Sequence, residues 1–114
     1  EAKAASDGGL STGSTVWDAG IVLAHYAAQL ISTQAEGQAA GQRWALLELG
    51  AGTGHLGLAV AALCPGSTLR SLTLTDLTAV VPLLNTNLEL NARALPQGVR
   101  AQALPYHWGS DEHL

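Results

Sequence analysis

The sequence predicts an α/β fold built on a parallel sheet, and two observations carry that prediction. Short apolar runs alternate with stretches of helical period, in the order helix and then β-α-β-α-β. Such an order closes through right-handed crossovers into a parallel sheet. The first apolar run also ends in closely spaced glycines that open a helix, the kind of turn at which doubly wound sheets bind ligands. The chain has no internal repeat.

Residues 1–14, rich in Ala, Gly and Ser, read as a flexible lead-in to a single domain over 15–114. From Thr15 the pattern turns helical: Val16, Trp17, Ile21, Ala24 and Ala28 fall near one face, and Tyr26, Leu30 and Ile31 extend it. The small, polar stretch from Ser32 to Gln42 reads as a flexible connector. Trp44 to Leu49 is a short apolar run, expected as a strand buried on both faces in the manner of parallel sheets. Leu56, Ala59, Val60 and Leu63 then recur at helical offsets until Cys64-Pro65-Gly66 stops them. From Leu69 to Thr75, Leu72 and Leu74 alternate with Thr73 and Thr75, a second strand. Thr78 to Asn91 is the next helix, on Val80, Leu84 and Leu88 with Leu83 and Leu90 beside them. Pro82 falls in its first turn or two, where a missing N–H is tolerated best. After the turn Pro96-Gln97-Gly98, Val99, Ala101 and Ala103 alternate with Arg100 and Gln102 as a half-exposed edge strand.

Composition narrows the function. A chain of 114 residues fits one domain, which at that size buries roughly two thirds of its unfolded-chain surface. Apolar residues make up 47% of it, with no Phe or Met, so the core must be Leu, Val and Ala with a little Ile and Trp. The net charge of −4 argues against tight nucleic-acid binding, which would want a basic stripe. Cys64 is the only cysteine, so an internal disulfide is impossible and a reducing cytosol or nucleus suits the chain. No apolar run is long enough for a membrane span, and no secretory leader pattern opens the chain. Because the first residue is Glu1 and not Met, the chain is expected to be a piece of something longer.

Glu48-Leu49-Gly50-Ala51-Gly52-Thr53-Gly54 closes the first strand at the carboxyl edge of the sheet. Alternate glycines allow positive φ there and let a flat ligand approach with no Cβ in the way. The acid-x-Gly-x-Gly-x-Gly pattern is the first motif of class I methyltransferases. Gly52-Thr53-Gly54-His55-Leu56-Gly57 satisfies the dinucleotide pattern G-x-G-x-x-G as well. Asp76 ends the second strand, 22 residues beyond Gly54. There a carboxylate can accept bonds from both hydroxyls of a ribose, worth about 1.5–3 kcal/mol each. The plainer alternatives are a tight turn and a helix N-cap. Neither NAD nor S-adenosylmethionine is excluded by these residues alone.

The flanking segments are more specific. Thr15-Val16-Trp17-Asp18-Ala19-Gly20-Ile21-Val22-Leu23-Ala24 resembles the segment that precedes the fold in the seven-β-strand protein-lysine methyltransferases. That resemblance continues in register through Leu46 to Gly54, Leu74-Thr75-Asp76-Leu77, Pro82-Leu83-Leu84 with Asn87-Leu88-Glu89-Leu90-Asn91, and Trp108-Gly109. It covers residues from about Gly13 to Gly109, and an NAD fingerprint explains none of the four flanking motifs. The family is a Rossmann-like, three-layer αβα fold with a seven-stranded sheet. The resemblance therefore implies its N-terminal half here, with strands in the order 3-2-1. It implies S-adenosyl-L-methionine as cofactor and a protein lysine as methyl acceptor, in the cytoplasm or the nucleus. It also implies cofactor contacts at Trp17, Glu48, Gly50, Ala51, Gly52, Gly54, Asp76 and Trp108.

Two departures stand out. His107 occupies the place where that family carries Asp. The family's acidic-x-x-Tyr motif, which faces the substrate, is absent from the chain, so no catalytic base is assigned and the chain alone is expected to be inactive. The strand Trp44–Leu49 would then keep an open apolar edge through which the chain could self-associate. His25, His55, His107 and His113 have no compact ligand spacing, so no metal is expected. Cys64 reads as a small buried hydrophobe. Two other classes stay open: a nicotinamide-dependent oxidoreductase, and a non-catalytic interaction module.

Overall fold

The computed structural model describes residues 15–37, 39 and 41–110. The lead-in over 1–14, residues 38 and 40 of the connector, and His113 lie outside the described residues. The elements in chain order are α1 (Asp18–Ala35), β1 (Trp44–Leu49), α2 (His55–Leu63), β2 (Leu69–Asp76), α3 (Val81–Asn91) with a 3-10 turn at Ala92–Ala94, and β3 (Arg100–Pro105). The three strands are parallel and ordered β1-β2-β3, which is the expected 3-2-1 read from the other edge. This is an α/β, Rossmann-like arrangement with β1 and β3 as the edges. No helix among the described residues is long and apolar enough to cross a membrane.

Both crossovers step across the sheet in one direction, so right-handedness carries α2 and α3 onto the same face. On that face Leu72 and Leu74 of β2 are fully buried, with Ala61 of α2, Val80 and Leu84 in one core, and Leu46 and Ala101 packed against it. α1 packs on α2 from outside: Ala24 and Ala28 are buried against Val60 and Cys64, with Ile31 and Leu56 beside them. α2 is thus apolar on two sides, which is why it reads as apolar almost throughout. The expected Leu56, Ala59, Val60 face meets α1, whereas Gly57 and Ala61 meet the sheet. Leu63 is 52% exposed and falls outside both.

Several expectations are corrected. α1 runs through Ala35, so the first turn of the expected connector is helix. Tyr26 and Leu30 are exposed, because at 100° per residue each falls on the side opposite Ala24 and Ala28. β1 is not buried on both faces: Leu47 is 61% and Leu49 53% exposed. They lie on the face away from α2 and α3, which no described helix covers. α3 begins at Val81 and not Thr78, because residues 77–80 form a turn closed by Val80 N–H on the Leu77 carbonyl.

Candidate functional site

The register aligns the carboxyl ends of the strands. Leu49 pairs with Thr75, Thr75 with Leu104, and Asp76 with Pro105. The loops that follow, 50–54, 77–80 and 106–110, therefore emerge side by side along one edge of the sheet.

The β1–α2 loop owes its shape to glycine. Gly50, Gly52 and Gly54 have φ of 67°, 56° and 76°, a left-handed conformation that a Cβ would strain. Their tasks differ, however. A Cβ on Gly50 would stand 3.3 Å from Cζ2 of Trp108, so the indole lies against this bare backbone. At Gly54 it would stand 2.9 Å from Leu74 and 3.1 Å from Leu84, inside the core.

The loop is tied to its neighbours by hydrogen bonds from two elements, β2 and α3. Ala51 N–H donates to the Thr75 carbonyl at 2.8 Å, and Gly52 N–H to Oδ2 of Asp76 at 2.7 Å. The other Asp76 oxygen, Oδ1, accepts from Leu77 N–H at 2.7 Å. Asn87 on α3 donates through Nδ2 to the Thr53 carbonyl at 2.8 Å. Thr75 Oγ1 donates to the Glu48 carbonyl at 2.7 Å.

Glu48 reaches across the start of α2. Its Oε2 accepts the N–H of Gly57 at 2.8 Å. The residue at the N-cap, Gly54, has no side chain to cap with. A carboxylate from the preceding strand therefore satisfies one of the helix's free donors. Burial pushes the Glu48 carboxyl up to about 7; the bond from Gly57 opposes that rise, and the nearby charge of Asp76 adds to it.

Two cavities open on this edge. The first, about 450 Å³, is lined among others by Trp17, Glu48, Gly50, Ala51, Gly52 and Asp76. The second, about 420 Å³, is lined by Gly50, Asp76, Leu77, Tyr106, His107 and Trp108. They adjoin along Gly50, Asp76 and Leu77, and seven of the eight residues expected at the site line one or other part of this recess. Gly54 is the eighth; it lines neither cavity and is packed under the loop. Trp17 and Trp108, at opposite ends, are 63% and 75% exposed, so each offers an aromatic face to anything that enters. His107 Nε2 lies 3.5 Å from Oγ1 of Thr78 at the rim.

Sequence reasoning passed over two residues that matter here. Gly57 permits the close approach of α2 to β2, because a Cβ would meet Leu74 at 2.5 Å and Oε2 of Glu48 at 2.6 Å. It is the last glycine of G-x-G-x-x-G, and its place in that pattern reflects helix–strand packing. The other is Asn87, an amide on the inward face of α3 between Leu84 and Leu88. A polar residue breaking that apolar stripe was the available signal.

Cys64 is 4% exposed in the α1–α2 contact, and burial raises its thiol pKa, which suits a packing role. His25, His55 and His107 lie on separate elements, and among the described residues no three His, Cys, Asp or Glu side chains come together in a metal-binding group. Compared with known protein families, residues 1–113 match the family described as lysine methyltransferase.

Proposed function

The chain belongs to the lysine methyltransferase family, and from that premise we propose that its recess binds S-adenosylmethionine for transfer of a methyl group to a lysine side chain of a protein. The observation that carries this reading is the acidic lining of the recess. Two carboxylates, Glu48 and Asp76, line it, and one of them already holds the Gly57 N–H at the start of α2. A dinucleotide would place its pyrophosphate at that helix N-terminus, which needs free N–H donors and no anion beside them. A ligand carrying positive charge is favoured instead.

The residues present fit such a ligand. The Trp108 indole, lying on the bare backbone at Gly50, offers a flat base a partner to stack on, and Asp76 keeps lone pairs for ribose hydroxyls after accepting its two N–H bonds. When bound, the cofactor supplies a methyl group activated on a sulfonium. The chain's own share is positioning and desolvation. Asp76 orients the sugar, the 50–54 loop shapes the floor, and Trp17 and Trp108 close the two ends against water. We assign no base for the lysine, and place the protein in the cytosol or nucleus.

Calorimetric titration with S-adenosylhomocysteine, using NADH as the control, tests the proposal in this chain and in the longest natural form that contains it. The homocysteine compound is expected to bind and NADH not to. In Asp76→Ala the dissociation constant is expected to rise about 10–100-fold, from the loss of charge-assisted bonds. Binding of NADH alone would move the protein to the oxidoreductases. If neither ligand binds the longer form, the reading as an interaction module takes over.

A further inference from the structure

Asn87 is a polar side chain at the margin of the apolar stripe of α3 formed by Val80, Leu84 and Leu88. It is half-buried, and an amide at such a place costs free energy unless its groups are bonded. Its Nδ2 donates to the Thr53 carbonyl, 34 residues away in sequence, at 2.8 Å. Thr53 lies between Gly52 and Gly54, both in the left-handed region, and glycine is the residue least able to hold one conformation without outside support. The other ties on the loop reach Ala51 and Gly52 from β2. Of the side-chain ties, Asn87 reaches the half of the loop that leads into α2, where Gly54 N–H also bonds the Ala51 carbonyl at 2.7 Å.

We infer that Asn87 is a positioning residue for cofactor binding: by holding the Thr53 carbonyl it fixes the second half of the glycine loop, so that the floor of the recess is formed before the ligand arrives. The inference rests on the proposed function. It goes beyond it in assigning affinity to a helix residue that lines neither cavity of the recess. A loop already ordered loses less conformational entropy on binding, and this is where the affinity comes from. Asn87 instead borders a third space with Thr53, His55 and Asn91, which meets the first cavity along Val16, Thr53 and His55. Its hold on the recess runs through the Thr53 backbone.

Three variants test this. Asn87→Asp keeps the shape but turns an oxygen on the Thr53 carbonyl, Asn87→Leu completes the apolar stripe, and Asn87→Gln keeps the donor on a longer arm. Affinity for S-adenosylhomocysteine is read by calorimetry, and hydrogen exchange of individual amides by NMR in the unliganded protein. Loss of one such bond is expected to raise the dissociation constant about tenfold in the Asp and Leu variants. The Gln variant recovers most of the affinity. Gly52 and Gly54 amides exchange faster in Asp and Leu, whereas Val60 and Leu72 amides in the Leu variant keep wild-type rates. A merely structural role would speed the core amides along with the loop. Wild-type affinity within twofold in both the Asp and Leu variants, or unchanged loop exchange, would overturn the inference. If the wild type binds no S-adenosylhomocysteine, the proposed function fails and the clamp is judged on exchange alone.

Discussion

Glu48 and Asp76 end neighbouring strands and line the same recess, yet their surroundings differ. Asp76 accepts two backbone N–H bonds, while Glu48 accepts one and is buried enough for its pKa to rise from 4.5 to about 7. The folded chain therefore holds the Glu48 proton more tightly than the unfolded chain does. The stability this contributes is whole below about pH 4.5 and is lost as pH rises through 7. Allowing for partial exposure, the loss is on the order of 1–2 kcal/mol. Between pH 5 and pH 8 the unfolding free energy from urea titration is expected to fall by that amount more in the wild type than in Glu48→Gln. Equal falls in both would remove Glu48 as the cause. At this scale the sequence was informative where chemistry follows from position alone: an acid at a strand end, glycines at a turn, aromatic residues within matched motifs. The capping of α2 by Glu48, the packing duty of Gly54 and the tie from Asn87 each depend on a partner that adjacency in sequence does not name.

Elements were legible to within a turn, and the misses have identifiable causes. β1 starts and stops as its apolar run does, but α3 starts late because Asp76 holds the Leu77 N–H and a turn intervenes first. α1 continues through Ser32–Ala35, small and polar residues that a helix tolerates once its other side is buried on α2. At Gly57, α2 lies so close on β2 that there is no room for a Cβ. Gly57→Ala gains about 1 kcal/mol of helix propensity but forces a methyl group onto Leu74 and the Glu48 carboxylate. Overpacking of this kind costs about 1–3 kcal/mol, so a net loss is expected. Calorimetric melting should show a midpoint lower by several degrees. A variant melting at or above the wild-type temperature would show that α2 can shift to make room.

On the scale of the whole molecule, the described residues cover one side of the sheet and leave the other bare. Leu47, Leu49 and Leu104 are 61%, 53% and 44% exposed on the bare side, and β1 also leaves its outer edge unpaired among the described residues. Edges and apolar faces of this kind associate. We expect light scattering at tens of micromolar to show association of the chain that rises with concentration and is reduced in Leu47→Lys/Leu49→Lys. A monodisperse wild-type monomer would contradict this. The parallel topology was readable from element order, whereas the bare face was not. The apolar character of β1 fits a doubly covered strand, and only the direction of the two crossovers leaves one side open.

The bonds that shape the glycine loop also set when it can take shape. Gly52 is tied to a residue 24 positions away and Thr53 to one 34 positions away. Neither tie exists until β2 has paired and α3 has docked, and both contacts require closing long stretches of chain. During folding the strands can form and the core can gather while the recess is still without a floor. The site is therefore expected to take shape late, with ligand capture marking the end of folding rather than its beginning.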